Sequence, residues 1–342
     1  MKKYDVKDQR YFTVLGSMAI KEEGFKRLLN KDMEAFKKVN GAAAYFALNS
    51  AGIQTRFKTN SKKININVNL REVSNMNNMS ALGQSGVDLY IYHKKLNKYV
   101  FQNSTPFDRF ATEYDFALVN NEEKEYNDYI INLPLYNFVS DLSLFLDEDA
   151  TIIPYQKQTN DTIVFYGSSI VQGGTVSRAG FLYSNIISRK IKNEIFNFGF
   201  SGSAFLEKEI AAIISKVLNP KILIIDAEPN AGADNRLKDN LPGFIEEYRK
   251  NHPKTTILVC SRISYPADLK NKVLIKRRAS NKAFMIDLVN NFKKEDKNIF
   301  FVDGYDAFGD DFFEYSLDGT HPNDLGATKL ADFYYKEILK YL

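Results

Sequence analysis

Four short segments of this chain carry residue types that could perform acyl transfer together: YGSSIVQGG at 166–174, GFSGSA at 199–204, DAEPNAG at 226–232 and DGTHPNDLG at 318–326. In the first, Gly167 allows a sharp turn out of a strand. Ser169 then falls at or just before the first turn of the following element, where backbone N–H groups are free. A serine hydroxyl there is a nucleophile if a base can reach it. The plainer use of Ser168 or Ser169 is to cap a helix. The segment lacks the Lys-Ser/Thr ending that reaches nucleotide phosphates, which argues against a phosphate loop.

The base follows by elimination, because the chain has only three histidines. His93 ends the alternating run VDLYIYH, and His252 lies in RKNHPKT, a helix end whose dipole favours it. Only His321 has a carboxylate close by. Asp318 precedes it by three residues, a spacing that lets the carboxylate accept from one ring nitrogen while the other faces the serine. A turn aspartate followed by a histidine before Pro322 is the alternative. Gly202 lets a backbone N–H approach a reacting oxygen closely, and Asn230 offers a side-chain amide. With the N–H of Ser169 these would make three donors for an oxyanion, each typically worth about 3 kcal/mol in the transition state. Singly each is an ordinary turn residue. Four such segments in order, each in a loop beside a strand, point to a site.

The elements around them must therefore be strands that present loops. Beyond residue 161 the pattern alternates apolar strands with helical stretches: TIVFY, a helix near 180–191, EIFNF, a helix near 206–217, KILIID and a helix ending near Lys250. TTILVC, a helix near 271–293, NIFFVD and a terminal helix from about Pro322 complete the pattern. That rhythm implies a parallel sheet covered on both faces, with ligands bound at the carboxyl ends of its strands. From about Gly41 to Ala150 the pattern is instead short alternating runs, such as IQTRFKT, ININVNL, VDLYIYH and YIINLPLY, which read as antiparallel strands. The charged stretch DEDATIIPYQKQTND at 147–161, with Pro154, reads as the linker. The expected division is an N-terminal β domain over 1–155 and an α/β domain over 156–342.

The bulk properties agree with two globular domains. At 342 residues the chain exceeds what one core supports, and 44% hydrophobic with 26% charged residues is ordinary for a globular protein. A net charge of +4 from scattered lysines gives no nucleic-acid footprint. The single cysteine, Cys260, excludes an internal disulfide and reads as a core thiol. There is no apolar stretch of membrane-spanning length and no signal-like leader in this sequence, so the chain is expected to be cytoplasmic, or secreted or periplasmic if a leader has been removed, without membrane insertion. Tyr90, Tyr92 and Tyr136 alternate on strands and read as core rather than as a sugar platform. Oligomeric state is not legible.

The four segments, in this order, resemble the Ser, Gly, Asn and Asp-x-x-His blocks of the SGNH/GDSL hydrolase superfamily, from about residue 161 to the end. YGSSIVQGGTVSRAG, preceded by LPLYNFVSDLSLFL, resembles a two-domain bacterial branch in which a β-sandwich precedes the hydrolase. The resemblance implies a flavodoxin-like three-layer α/β/α domain with a parallel sheet, after an all-β, jelly-roll-like sandwich. It makes Ser169 the nucleophile, His321 the general base and acid, Asp318 its orienting carboxylate, and Ser169, Gly202 and Asn230 the oxyanion hole. It places Arg178 near the pocket, with a surface salt bridge as the other reading, and Glu228 beside the site, both as candidate substrate-binding residues. Ser168 and Glu228 depart from the family's usual aspartate and glycine. The implied activity is hydrolysis of short-chain, typically acetyl, esters on a carbohydrate, without metal or organic cofactor. Two rivals stay open: an acyltransferase using the same residues, and an inactive glycan-binding protein. Hydrolysis of long acyl chains would call for an apolar lid, and none is apparent.

Overall fold

The computed structural model describes residues 1–22 and 24–342. In the N-terminal half, two antiparallel sheets face each other. One runs Lys2–Asp5, Val139–Leu146, Lys63–Leu70 and Glu113–Asn120. The other runs Ile152–Pro154, Gln54–Thr59, Asn127–Asn132, Asp88–His93 and Lys98–Ser104, with Thr13–Leu15 also paired to Gln54–Thr59. The alternation of KININVNL explains the inner face, since Ile64, Ile66, Val68 and Leu70 point into a core with Leu142, Leu144, Leu89, Tyr129 and Ile131. The result is a β-sandwich.

Two features of this half depart from the sequence reading. Residues 152–154 of the supposed linker are a strand paired with Gln54–Thr59. Asn30–Val39 and Gly41–Ala47 are helices rather than strand or loop. The second is built from GAAAYFA, whose alanines favour a helix, and Asn40 caps it by accepting the N–H of Ala43 at 2.9 Å. Neither helix belongs to the sandwich. Phe36, Ala43, Ala44 and Ala47 pack with Phe200, Leu206 and Ile210, in the core of the α/β domain.

That domain has a five-stranded parallel sheet in the order Glu194–Gly199, Thr162–Gly167, Pro220–Asp226, Thr256–Cys260, Ile299–Val302. This is the flavodoxin-like 2-1-3-4-5 order, with a switch point beside the first strand. Successive residues of Thr162–Gly167 serve opposite layers. Val164 and Tyr166 meet Ile214, Phe244 and Tyr248 on one face, and Ile163 and Phe165 meet Ile187, Leu330 and Tyr334 on the other. Burying each such side chain contributes about 1.5–3 kcal/mol, so the sheet is a stiff base for the loops at its carboxyl ends. The helices Tyr183–Ser188, Lys208–Ile214, Arg236–Asn251, Lys272–Phe292 and Asp324–Leu339 lie within a few residues of their expected places. Cys260 is buried, and burial pushes its thiol up, as for an inert core group. Among the described residues no helix is long and apolar enough to cross a membrane.

Candidate active site

Gly167 ends its strand against the carbonyl of Asp226. A Cβ there would stand 2.1 Å from that oxygen, so only glycine lets the two strand ends close up. The chain then turns into a single helical turn, Ser169–Gln172. The capping role falls to Ser168, whose hydroxyl accepts from the N–H of Ile170 at 3.3 Å. Ser169 is thereby the first helical residue, with its N–H free of any partner among the described residues.

The Ser169 hydroxyl lies 2.7 Å from Nε2 of His321. The other ring nitrogen, Nδ1, lies 2.8 Å from Oδ2 of Asp318. The DGTHP turn that makes this possible is closed by Leu317 N–H on the carbonyl of His321 at 3.0 Å, and by the carbonyl of Pro322 accepting from Thr175 at 2.9 Å. Partial burial pushes the Asp318 carboxyl up. The hydrogen bonds from the His321 backbone, the His321 ring and Asn78 outweigh it and hold the group at about 2. Asp318 thus stays ionised across the neutral range.

Gly202 sits in a turn at φ +64°, and a Cβ there would meet nothing within 4 Å, so its surroundings are open on that side. Its N–H has no partner among the described residues. Asn230 uses Oδ1 to accept the N–H of Ala204 at 3.2 Å, which fixes the amide plane and leaves Nδ2 without a partner among the described residues. Three donors are therefore uncommitted on the strand-end loops that carry Ser169, Gly202 and Asn230.

Arg178 and Glu228, expected at the pocket, are committed elsewhere. The Arg178 guanidinium donates to Asp88 at 2.9 Å and Tyr90 at 2.8 Å and lies 3.9 Å from the Phe101 ring and 4.2 Å from that of Phe181. Asp88 is only 1% exposed and also accepts from the N–H of Gly180 and from Asn132, so Arg178 clamps the sandwich to the α/β domain. It is not a surface salt bridge. Glu228 is buried, with Oε2 accepting the N–H of Arg262 at 2.7 Å and Oε1 accepting from Asn281 at 3.1 Å. Its carboxylate holds the loop after Thr256–Cys260 against the Asn230 turn. Nearby Asp226 is fully buried, and burial drives its carboxyl up to about 7 against the opposing bond from Tyr334. Tyr90 and Tyr136 are buried and Tyr92 is half-buried.

Several supports escaped the sequence reading. Gln172, fully buried, accepts the N–H of Ser201 at 3.0 Å and donates to the carbonyl of Leu135 at 3.1 Å, tying the Gly202 turn to the Ser169 turn. The one sequence signal for Gln172 was its place inside the YGSSIVQGG segment, three residues after Ser169. Asn40 donates to the carbonyl of Ser203 at 2.9 Å. Arg27, fully buried, donates to the carbonyls of Asn197 and Gly199 at 3.1 and 2.7 Å, at the strand end that feeds the same turn. Burial lowers its pKa to about 9, yet it stays charged, held by strand-end carbonyls instead of a carboxylate. Asn78 reaches Asp318.

Known proteins place this arrangement in context. Residues 160–340 match the model of the GDSL-like lipase/acylhydrolase family, and residues 2–152 match the N-terminus of SGNH-hydrolase-type esterases, labelled GxDLY. The Gly-Val-Asp-Leu-Tyr run at 86–90 fits that label, and its Asp88 and Tyr90 are the partners of Arg178. No curated protein matches the chain at a significant level of similarity. Among solved structures, a Bacteroides ovatus protein described as a GDSL-like lipase is 27% identical with a TM-score of 0.89, over 99% of this chain and 97% of that one. A salicylyl-acyltransferase from a tetracycline biosynthetic pathway is 16% identical with a TM-score of 0.80, over 99% and 97%. A family two carbohydrate esterase from Clostridium thermocellum, in complex with cellohexaose, is 14% identical with a TM-score of 0.61, over 85% and 94%.

Proposed function

The chain belongs to the GDSL-like lipase/acylhydrolase family, and on that premise we propose that it is a serine esterase that removes short acyl groups, acetyl above all, from a carbohydrate. The observation that carries the reading is the continuous relay Ser169–His321–Asp318, at 2.7 and 2.8 Å, with uncommitted hydrogen-bond donors on the loops that follow three neighbouring strands. Ser169 Oγ attacks the ester carbonyl carbon as His321 Nε2 takes its proton. The carbonyl oxygen becomes an oxyanion received by the N–H groups of Ser169 and Gly202 and by Nδ2 of Asn230. As the tetrahedral centre collapses, the C–O bond to the sugar breaks and His321 returns the proton to the leaving alkoxide. Water then attacks the acyl-serine with His321 again as base, releasing the carboxylic acid and free Ser169. Asp318 fixes the tautomer with Nδ1–H and stabilises the imidazolium that forms at each step.

Carbohydrate as the alcohol component is supported by the shared architecture with family two carbohydrate esterases, a likeness of fold. A second reading has its own support in the fold shared with the salicylyl-acyltransferase over nearly the whole chain. In that reading an acceptor hydroxyl replaces water in the second half-reaction. Incubation with acetylated xylo- and cello-oligosaccharides, with and without an added alcohol acceptor, separates the two by product analysis. Free acetate that the acceptor does not divert is expected. An ester on the acceptor at the expense of acetate would overturn hydrolysis in favour of transfer.

A further inference from the structure

We propose that Asn78 is a positioning residue of the triad, through which the N-terminal half of the chain holds Asp318 in the orientation His321 needs; this rests on the esterase reading above. Asp318 accepts four hydrogen bonds. Oδ1 takes the N–H groups of Thr320 at 3.1 Å and His321 at 2.9 Å, and Oδ2 takes Nδ1 of His321 at 2.8 Å. Those donors belong to the same turn as the carboxylate and move with it. The fourth, Nδ2 of Asn78 at 2.9 Å, comes from 240 residues away. Among the described residues it is the one bond that fixes the Asp318 carboxylate against another part of the molecule.

The loop that presents Asn78 is itself pinned. Gln84 is buried, and its side-chain Oε1 accepts from Met76 N–H at 2.7 Å and the Ser74 hydroxyl at 3.0 Å. Its Nε2 donates to the carbonyls of Met79 at 2.6 Å and Met76 at 3.2 Å. One buried amide thus spends every bond on the 74–79 segment, which straddles Asn78. Just beyond, the Ser80 hydroxyl donates to the carbonyl of Ser177, in the segment that follows the nucleophile turn. Ser177 in turn gives its N–H to Asp324 at 2.8 Å, just past the histidine turn. The line Gln84, Asn78, Asp318, His321, Ser169 runs from the interior of the N-terminal half to the nucleophile.

A neutral amide suits this place. It donates to the carboxylate without adding charge, and so keeps Asp318 ionised and aligned. Asn78 stands to Asp318 as the outer partners of metal-bound histidines and carboxylates stand to those ligands, and such partners carry about 10- to 100-fold in activity. The test uses the full chain: kcat and KM on p-nitrophenyl acetate, the pH profile of labelling by a fluorophosphonate, and thermal melting, for wild type, Asn78→Ala and Asn78→Asp. Asn78→Ala is expected to lower kcat roughly tenfold, with KM changed less than about twofold. Asn78→Asp sets a second negative charge beside the pair and favours the imidazolium. The acid limb of its labelling profile is therefore expected to move upward by about half a pH unit or more. An Asn78→Ala kcat like wild type, or an acid limb that stays put in Asn78→Asp while activity falls in step with melting, overturns the proposal. A wild type that the probe does not label takes down the esterase reading and this inference with it; a labelled wild type with unaffected variants takes down the inference alone.

Discussion

The two halves of the molecule meet the site in different ways. The α/β half supplies every group proposed to react, each from a loop at a carboxyl end of one stiff sheet or from the turn before the last helix. The N-terminal half supplies side chains that hold those loops: Asn78 on Asp318, Asn40 on the Gly202 turn, Arg27 on the strand end before it, and Asp88 and Tyr90 on Arg178. Short, exposed catalytic loops order poorly on their own. The difference teaches that the N-terminal half, through the sandwich and through the two helices packed on the α/β core, braces the loops that carry the groups proposed to react.

The comparison can be broken or sharpened by substitution. The largest effect belongs to Ser169→Ala, expected to cost at least about 10⁴-fold in kcat on p-nitrophenyl acetate, with an unchanged circular dichroism spectrum. Activity that survives would remove the α/β half's claim to the chemistry. Next is Arg178→Ala, which leaves Asp88 buried without its cation. Breaking such a pair costs about 3–5 kcal/mol, to be read as a lowered urea midpoint. A loss below about 1 kcal/mol would reduce the clamp to a surface pair. Asn230→Ala should lower kcat by about 10²–10³-fold, with KM little affected, since its donor is needed for the oxyanion rather than for the ester. Equal losses in binding would place Asn230 outside the oxyanion hole.

The smallest effect is on stability alone. Asp226 has a folded pKa of about 7, raised above its unfolded value near 3.9. A raised group contributes stability that is full below the unfolded pKa and is lost as pH climbs through the folded one. Asp226→Asn keeps an acceptor for Tyr334 and cannot ionise. It should be less stable than wild type by about 2 kcal/mol near pH 4, because the new amide N–H groups need partners, and more stable by about 1–2 kcal/mol at pH 8, where ionisation of Asp226 costs the wild type about 4 kcal/mol. The same offset at both pH values would show that ionisation of Asp226 is not what limits stability at high pH.

Legibility in the sequence followed the same division. That Ser169, His321 and Asp318 come within hydrogen-bond reach was legible because a parallel sheet announces itself by apolar strands alternating with helices, and its loops gather at one end. Gly202 and Asn230 followed from their order along the chain. The partners of Arg178 and Glu228 were not legible because motif spacing gives proximity along the chain but not direction. Arg178 turns toward an aromatic cage at 3.9 Å from Phe101, and Glu228 turns inward to Asn281 and Arg262. The helices Asn30–Val39 and Gly41–Ala47 were lost to the assumption that the N-terminal half is uniformly β, although GAAAYFA is a plain helix former. Asn78, in REVSNMNNMS, gave no signal at all. It lies in irregular chain, and its partner is 240 residues distant.

The central claim is that Ser169 is a nucleophile activated by His321. Its most direct test is stoichiometric reaction of the folded chain with a fluorophosphonate, read by intact mass and peptide mapping, for wild type, Ser169→Ala and His321→Ala. A single adduct on the peptide holding Ser169, none in Ser169→Ala and strongly slowed labelling in His321→Ala are predicted. An adduct mapped to another residue, or Ser169→Ala labelled as fast as wild type, would contradict the account.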